Sequence, residues 1–383
     1  MQITGDWISH PATQKVFAML EDGGHQAYFV GGCVRNALIG SKVADIDICT
    51  DAQPKRVIEL AEKAGLHAIP TGIDHGTITV VANHIPHEIT TFRRDVETDG
   101  RRAVVAFADD IHQDALRRDF TMNALYARAD GTVVDPLGGI EDLNRRHVRF
   151  IEDPEQRIRE DYLRILRFFR FHAWYGDPAE GLDRESLAAV AENTEGLAGL
   201  SAERVGSELM KLLGAPDPAP SVAAMQATGV LTRLLPGAET ESLAVLVHLE
   251  KQEGAAPSAV RRLALLGGTE PEVALRLSNA KARTLSILRD GIADMRALPE
   301  VAYRHGANIA QDLALLRSAM FETPVPMQPE LWQHAEAAQF PLTGRDLMPD
   351  LSGPALGKRL KELEAAWIAS GFRLTREELL AQR

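Results

Sequence analysis

The sequence predicts an α+β chain in which a mixed α/β head is followed by an entirely helical remainder. Strand-like and helix-like patterns alternate over residues 1 to about 140, whereas strand patterns nearly vanish after Pro154. Segments rich in Ala and Leu with helical periodicity then dominate, punctuated by stretches of Gly and Pro. With 383 residues, 45% of them hydrophobic, the chain is long enough to build more than one hydrophobic core.

The elements of the head follow from these periodicities in chain order. We predict a helix over 11–22, a strand over 27–30, a helix from Cys33, a strand over 43–49, a helix over 53–64, strands near 78–81 and 87–92, and a further helix and strand before Pro136. Proline and glycine clusters then divide the chain into an expected head (1–140), neck (141–213), body (214–323) and tail (324–383).

Composition narrows the class of protein. A net charge of −12 argues against nonspecific binding of nucleic acid, although the middle of the chain is rich in arginine and nearly balanced in charge. No apolar run has the length of a signal peptide or a membrane span, so we expect no membrane partner. The only two cysteines, Cys33 and Cys49, provide no disulfide framework, and reduced thiols fit a cytoplasmic protein.

The most informative segment, residues 28–50, combines a glycine pair with two aspartates. Gly31 and Gly32 lie between a predicted strand and a helix start, where backbone N–H groups can approach an anion. Because alternate residues of a strand share a face, we expect Asp45 and Asp47 to project from the same side, an arrangement suited to a divalent cation. Taken singly, each motif is more often an ordinary turn or a solvated strand end.

In this order and spacing, the two motifs resemble the signature of nucleotidyltransferases of the DNA polymerase β superfamily. The resemblance is to the class II branch, which contains bacterial CCA-adding tRNA nucleotidyltransferases and poly(A) polymerases. It implies a polymerase β-like sheet in the head and Mg²⁺ bound by Asp45 and Asp47. The family usually has GG-x-VRD, whereas this chain has Asn36 at the last position, and an amide carries no charge for an Arg or a metal.

A third carboxylate is expected where two metal ions serve phosphoryl transfer. Glu88 is the candidate, since it would share one strand face with Thr90 and Phe92. From the pattern alone, an edge-strand glutamate facing water is an equally good interpretation. The family has a similar acidic residue in this strand, and the resemblance implies that Glu88 is catalytic together with Asp45 and Asp47.

The segment RRDFTMNAL, residues 117–125, places a polar cluster at the expected opening of a helix. On its own, such a cluster is more often a capping and salt-bridge arrangement. It resembles the family's second motif, which binds the ribose and phosphates of the nucleotide, and this implies the same role for Arg118, Asp119 and Asn123. The nucleotide-binding set implied by the resemblance also includes Gly31, Gly32, Arg35 and Arg167.

Residues 155–172 are predicted to form one helix with two stripes of side chains. One stripe is apolar, and the other contains Asp161 and Arg164, whose acceptor and donors could face the edge of a base. An intrahelical chain of salt bridges is the alternative. The element formed by Glu160, Asp161 and Arg164 resembles the family's fourth motif, a protein template that selects CTP or ATP.

Three further segments resemble the corresponding parts of the family less closely. Residues 135–143, DPLGGIEDL, read either as a hinge between head and neck or as an ordinary turn, and are similar to the family's third motif. Ser201 is predicted to cap a neck helix. In the tail, a glycine-rich turn leads into a basic helix, where Lys358, Arg359 and Lys361 are weak candidates for contact with the tRNA backbone.

Together, the resemblances imply template-independent addition of CCA to tRNA from CTP and ATP. A poly(A) polymerase ranks second, because residues 71–80 look like those of CCA-adding relatives. Enzymes that add only CC or only A remain alternatives, although residues 93–112 are long enough to contain the flexible loop that CC-only enzymes have shortened. A non-catalytic RNA-binding relative is a remote alternative, because Asp45 and Asp47 are both present.

Overall fold

The structure, a computed structural model, describes residues 1–99, 102–348 and 350–382. It confirms the α+β class, since a mixed sheet with flanking helices is followed by helices alone. The chain forms two compact units, Met1–Pro236 and Gly237–Arg383. The division into head, neck, body and tail stays a prediction. Among the described residues, no helix combines the length and apolar character needed to span a membrane.

The described residues of the first unit form nine strands. They are β1 Ala27–Val30, β2 Asp47–Thr50, β3 His67–Gly72, β4 Thr77–Ala82, β5 Ile85–Thr91, β6 Arg93–Asp99, β7 Arg102–Phe107, β8 Tyr126–Ala127 and β9 Val133–Val134. Seven of them form one sheet in the order β3-β4-β5-β2-β1-β8-β9, and β6 pairs with β7 separately. The β2–β5 pair is parallel, whereas the other neighbours are antiparallel.

The helices of the first unit flank this sheet and continue beyond it. They are α1 Asp6–Ser9, α2 Pro11–Asp22, α3 Gly32–Leu38, α4 Pro54–Lys63, α5 Ile111–Leu116, α6 Gly139–Asn144, α7 Pro154–Glu160, α8 Leu163–Tyr175, α9 Arg184–Glu192, α10 Ala202–Leu213, α11 Ala219–Ala227 and α12 Val230–Leu234. Short 3-10 turns occur at Ile73–His75, Thr121–Asn123 and Thr194–Gly199.

The second unit is helical throughout its described residues. Its helices are α13 Leu243–Gln252, α14 Ala259–Leu266, α15 Pro271–Ala274, α16 Asn279–Ala293, α17 Leu298–His305, α18 Ala307–Met320, α19 Pro329–Ala337, α20 Gly353–Ala369 and α21 Arg376–Ala381, with a 3-10 turn at Gly344–Leu347. Near its C-terminal end, Leu342, Leu363, Trp367 and Leu379 form a small apolar core of their own.

The first elements form where the apolar pattern places them. Pro11 begins α2, and the His10 imidazole accepts a hydrogen bond from the Ala12 N–H at 3.1 Å, which caps the helix. The buried face of α2 packs on the sheet, with the rings of Phe17 and Phe29 centred 4.4 Å apart. The predicted bounds of this helix and of β1 are confirmed.

Several predicted elements differ from the structure. The strand expected over 43–49 begins only at Asp47. Strand β3 was not predicted, because it contains Pro70 and most of its residues are exposed, so it lacks the alternation of apolar and polar residues that indicates a strand. The helix expected from residue 117 is the 3-10 turn Thr121–Asn123. The segment expected to hold a flexible loop, 93–112, forms β6, β7 and the start of α5, and residues 100 and 101 lie outside the described part.

The single helix expected over 155–172 is divided into α7 and α8 at Asp161. The backbone of Asp161 is extended, with φ −153° and ψ 104°, so the helical hydrogen-bond ladder stops there. Its carboxylate Oδ1 accepts from the Leu163 N–H at 3.1 Å, at the start of α8. The Tyr162 ring packs so closely on Gly196 that a Cβ there would lie 2.0 Å from it. A capping aspartate and a packed tyrosine therefore replace the continuous stripe.

Candidate active site

Three carboxylates meet at the edge of the parallel β2–β5 pair. Asp47 is the first residue of β2 and lies opposite Glu88 of β5, so their side chains share one face of the sheet. Asp45 precedes the strand in an exposed segment. All three line one pocket of about 430 Å³. The expected grouping occurs, although strand alternation is the wrong reason for the position of Asp45.

The electrostatics of this pocket favour a cation. Burial raises the pKa of Asp47, the negative charges of Glu88 and Asp45 raise it further, and Arg118 opposes them. Ionised carboxylates so close together repel each other unless a positive charge lies between them. Hard cations prefer carboxylate oxygens, so the donor set fits one. Within the described residues, no three His, Cys, Asp or Glu side chains are arranged closely enough to form a metal-ligand group.

The glycine pair lies at the start of α3, and the next residue, Cys33, donates from its thiol to the carbonyl of Asp47 at 3.8 Å. Gly31 has φ +69° and ψ −117°, a conformation that residues with a Cβ rarely adopt. Its N–H donates to the carbonyl of Leu125 at 3.0 Å, which ties the turn to the end of the RRDFTMNAL segment. A Cβ placed on Gly31 would lie 3.5 Å from Arg118 Nη1. The turn and the arginine are therefore close neighbours, as a shared phosphate site requires.

Asp119 is buried and stabilises the conformation of residues 117–125, the RRDFTMNAL segment, which is called the nucleotide motif below. Its Oδ1 accepts from the Phe120 N–H at 2.9 Å and from Asn123 Nδ2 at 3.0 Å. Its Oδ2 accepts from Arg167 Nε at 2.7 Å, and Arg167 Nη2 lies 2.5 Å from the same oxygen in an ion pair. Burial opposes ionisation, but Arg167 and Asn123 outweigh it and lower the pKa of Asp119 to about 2. Both oxygens of the Asp119 carboxylate therefore already accept hydrogen bonds from the protein.

Arg35 is buried between the head and α8. Its guanidinium donates to Asn123 Oδ1 and, at 2.9 Å, to the hydroxyl of Tyr175, whose ring lies 4.0 Å below it. Burial lowers its pKa. The side chain of Arg35 thus joins the nucleotide motif to α8, and its contacts are those of a structural link.

Asn36 keeps the contact that an aspartate would make to this arginine. Its Oδ1 accepts from Arg35 Nε at 3.2 Å and Nη2 at 3.0 Å. Its Nδ2 donates to the carbonyl of Lys42 at 3.1 Å, a bond that a carboxylate cannot make. The departure from the family pattern therefore exchanges an ion pair for a second hydrogen bond at the same place.

The side chains of the two base-reading candidates bind different partners, although the Arg164 N–H donates to the Asp161 carbonyl at 2.9 Å. Asp161 Oδ2 accepts from Arg204 Nη2 of α10 at 2.7 Å. Arg164 donates to Glu160 Oε2 at 2.5 Å and to the carbonyls of Arg157 at 2.8 Å and Arg117 at 2.9 Å. The Arg164 side chain is only 13% exposed, whereas that of Asp161 is 32% exposed. A chain of salt bridges exists, as the alternative interpretation held, but its acid is Glu160 and not Asp161. Glu160 pairs with Arg157 within α7 and with Arg164 across the break between α7 and α8.

The tail candidates lie on α20. Lys358 is 81% exposed and approaches Glu362 at 4.0 Å. Arg359 pairs with Glu362 at 3.1 Å and donates to the carbonyl of Gln382. Lys361 is exposed. Lys358 and Lys361 are therefore exposed to solvent, whereas Arg359 is bound by Glu362 and Gln382 of the same unit.

Three residues that organise the site were not among the predicted site residues. Asp114 binds Arg118, Glu160 binds Arg164, and Arg204 binds Asp161. Asp114 and Glu160 each precede their arginine by four residues, a spacing that could have indicated the pair. Arg204 is distant in sequence from Asp161, so no local pattern points to it.

The fold and this site define a nucleotidyltransferase: a small mixed sheet bearing acidic residues, an arginine-rich nucleotide motif and a helical extension. The family described as the poly A polymerase head domain matches residues 27–149, and the one described as a probable RNA- and SrmB-binding site of polymerase A matches residues 181–241. Human CCA tRNA nucleotidyltransferase 1, mitochondrial, is 34% identical over 93% of this chain and 86% of its own length.

Bacterial CCA-adding enzymes are also similar to this chain in sequence and in structure. The CCA-adding enzyme of Lacticaseibacillus paracasei is 29% identical over 93% of this chain and 92% of its own length. The crystal structure of the Bacillus stearothermophilus CCA-adding enzyme in complex with CTP superposes with a TM-score of 0.73 and 28% identity, covering 94% and 92% of the two chains. The chain belongs to the CCA tRNA nucleotidyltransferase family, which confirms the resemblance found in the motifs. Membership implies dependence on a divalent metal ion.

Proposed function

We propose that this chain adds CCA to the 3′ end of tRNA from CTP and ATP without a nucleic-acid template, releasing pyrophosphate. The observation that carries the proposal is the position of Asp47 beside Glu88, at one pocket with Asp45 and within the field of Arg118. The relatives whose names include CCA addition support it along nearly their whole length. We also propose that the chain works in the cytoplasm, where its free, buried Cys33 and Cys49 stay reduced.

The carboxylates define where the reaction takes place. We propose that Asp45 and Asp47 bind Mg²⁺, with Glu88 as the third acid beside them. A divalent cation held by these carboxylates would activate the 3′-hydroxyl and neutralise charge on the departing pyrophosphate. The 3′-hydroxyl of the tRNA attacks the α-phosphorus in line, so the triphosphate must be fixed with its leaving group pointing away from the hydroxyl.

The nucleotide is fixed by the turn and the arginines. Gly31 and Gly32 allow close approach of the triphosphate, and Arg118 donates to its oxygens. We propose that Asp119 and Asn123 shape the ribose site, with Arg35 and Arg167 holding both of them in place. In this assignment, Arg35 and Arg167 act on the nucleotide through the residues that they position.

Base selection is assigned to Asp161 and Arg164. Each is held by a partner, Arg204 for Asp161 and Glu160 for Arg164, so their polar groups have defined orientations. We expect Arg164→Ala to relax the preference between CTP and ATP more than it slows addition, because it removes donors from the base edge and leaves the acidic pocket intact. Single-nucleotide incorporation measured with each of the four nucleotides tests this, and unchanged preferences would remove Arg164 from the assignment.

The tail is assigned to binding of the tRNA backbone. We propose that Lys358 and Lys361, and Arg359 if its local partners release it, contact the tRNA backbone. Such contacts are electrostatic, so they should weaken as salt increases.

One experiment tests the function directly. The protein is incubated with tRNA lacking CCA, CTP, ATP and Mg²⁺, and the product ends are sequenced. We expect CCA ends from the wild type and none from Asp47→Ala, whose circular dichroism should match the wild type. A homopolymeric A tail would indicate a poly(A) polymerase, and CC alone or A alone would indicate a split activity. No incorporation by the wild type would favour a non-catalytic relative.

A further inference from the structure

Asp114 is a buried carboxylate at which four polar groups converge. Its side chain is 1% exposed. The groups donate from Arg118 at 2.8 Å, the Tyr126 hydroxyl at 2.9 Å, Arg117 at 3.3 Å and the Arg93 N–H at 3.3 Å. Burial opposes ionisation of Asp114, but the charges of Arg118 and Arg117 outweigh it and lower its pKa to about 2. Asp114 is thus a permanent anion at neutral pH, placed behind the nucleotide motif.

The contacts of Arg118 are one-sided. Its Nε donates to Asp114 at 3.1 Å and to the Tyr126 hydroxyl at 3.0 Å, and its Nη2 donates to Asp114 at 2.8 Å. Its Nη1 makes no hydrogen bond within the described part of the chain, and this is the atom that lies nearest to the Gly31 turn. One edge of the guanidinium is therefore anchored, and the other faces the turn.

Tyr126 completes the anchor. Burial raises the pKa of its hydroxyl, so the phenol stays protonated and can donate to Asp114 while it accepts from Arg118 Nε. The ring also lies 5.3 Å from the Arg118 guanidinium. Because the fork of Arg118 is planar, fixing Nε and Nη2 also fixes the direction of Nη1.

We propose that Asp114 is a positioning residue for nucleotide binding, which aims the free Nη1 edge of Arg118 at the triphosphate in the Gly31–Gly32 turn. The proposal rests on the proposed function, since it names the residue that orients the phosphate ligand of that same site. Asp114 acts through Arg118 and does not touch the nucleotide. Its effect therefore depends on the phosphates of the nucleotide and is independent of the base.

The test is equilibrium binding of CTP, ATP and CMP to the full chain by calorimetry, without tRNA. We expect Asp114→Asn to weaken binding of CTP and of ATP by about tenfold each, because a charge-assisted anchor is lost while the shape is kept. Binding of CMP should change by less than about twofold, since CMP has no β- or γ-phosphate for Arg118 to reach. Equal losses for CMP and CTP, or no loss for CTP, would overturn the proposal.

A double-mutant comparison separates positioning from a general structural effect. If Asp114 acts through Arg118, the double variant D114N/R118A binds CTP no more weakly than R118A alone. A further tenfold loss in the double variant would refute positioning. Should D114N fail to fold by circular dichroism, Tyr126→Phe carries the test, with an expected loss of about threefold for CTP and none for CMP. Unchanged CTP binding by this variant would also count against the proposal.

The second unit offers a matched control. Glu250 is a buried carboxylate that binds two consecutive arginines, Arg261 and Arg262, as Asp114 binds Arg117 and Arg118. We expect Glu250→Gln to leave CTP binding unchanged, and a loss equal to that of D114N would refute a local role for Asp114. Because the binding assay contains no tRNA, failure of the wild type to add CCA would overturn the proposed function without affecting this result.

Discussion

Replacing Asp119 by Asn should separate the stability of the nucleotide motif from its chemistry. The carboxylate accepts from the Phe120 N–H, the Asn123 amide and Arg167 Nε, and its side chain is 8% exposed. In the variant, the NH₂ group of the introduced asparagine side chain would face hydrogen-bond donors, either Phe120 and Asn123 or Arg167. Arg167 would also lose the negative charge that it pairs with in the wild type. We therefore expect a loss of stability of at least the amount that the wild-type carboxylate gains from ionising in place.

The stability that the ionised Asp119 carboxylate contributes can be derived from the shift of its pKa on folding. Folding lowers the pKa of Asp119 from 3.8 to about 2, and this shift corresponds to about 2 kcal/mol of stability at neutral pH. Because the folded-state pKa is depressed, the stabilisation is complete above the unfolded pKa and is lost as the pH falls towards 2. The difference between wild type and variant should therefore narrow by about 1 kcal/mol between pH 6 and pH 3.

The assay is urea denaturation at the two pH values, read peptide by peptide with pulsed hydrogen exchange so that the first unit is followed separately. Glu155→Gln is the control, since Glu155 pairs with Arg159 at the surface and should change stability by less than about 0.5 kcal/mol. A stability difference between wild type and D119N that is the same at both pH values would refute the role given to the ionised carboxylate.

Two further substitutions test the neighbouring structure. Asn36→Asp exchanges the hydrogen bond to the Lys42 carbonyl for an ion pair with Arg35, so we expect the rate of CCA addition to stay within about twofold of wild type, as measured by steady-state kinetics. Gly139→Ala would place a Cβ 2.2 Å from the carbonyl oxygen of Thr121, so we expect a loss of about 2 kcal/mol or more in thermal unfolding, because backbone must move.

The Asn36→Asp and Gly139→Ala predictions can each be contradicted by a specific result. A loss of CCA addition above about tenfold in N36D would mean that the amide itself is required, for which the hydrogen bonds give no reason. For the glycine, Gly199→Ala is the matched control, because nothing lies within 4 Å of a Cβ there. Equal stability losses at the two glycines would show that close packing on Thr121 does not decide the result.

Local patterns were sufficient for the class of fold, whereas the acidic site was identified through the family resemblance of its motifs. Helix α2 and strand β1 form where apolar periodicity and flanking turn residues place them, since these signals act between near neighbours in the chain. The pairing of Asp47 with Glu88 was approached only by analogy. It depends on the parallel register of β2 and β5, which are separated by α4 and two strands.

The interruption at Asp161 could not be read from the sequence. The segment has helical periodicity on both sides, and propensity favours one helix. The break is stabilised by contacts with distant residues, namely Arg204 on the carboxylate and Gly196 under the Tyr162 ring. Tertiary packing therefore overrides a weak local preference for one helix and gives the side chains of Asp161 and Arg164 different partners.

The residue types in the motifs were thus enough to identify the family and to point to Asp45, Asp47, Glu88 and Arg118, because each motif is contiguous in the chain. The partner of each polar group was a matter of three-dimensional packing. Asp114 anchors Arg118 because α5 and β8 bring a carboxylate and a phenol to the same guanidinium. A buried charge must be satisfied by whatever groups surround it, and those surroundings exist only in the folded chain.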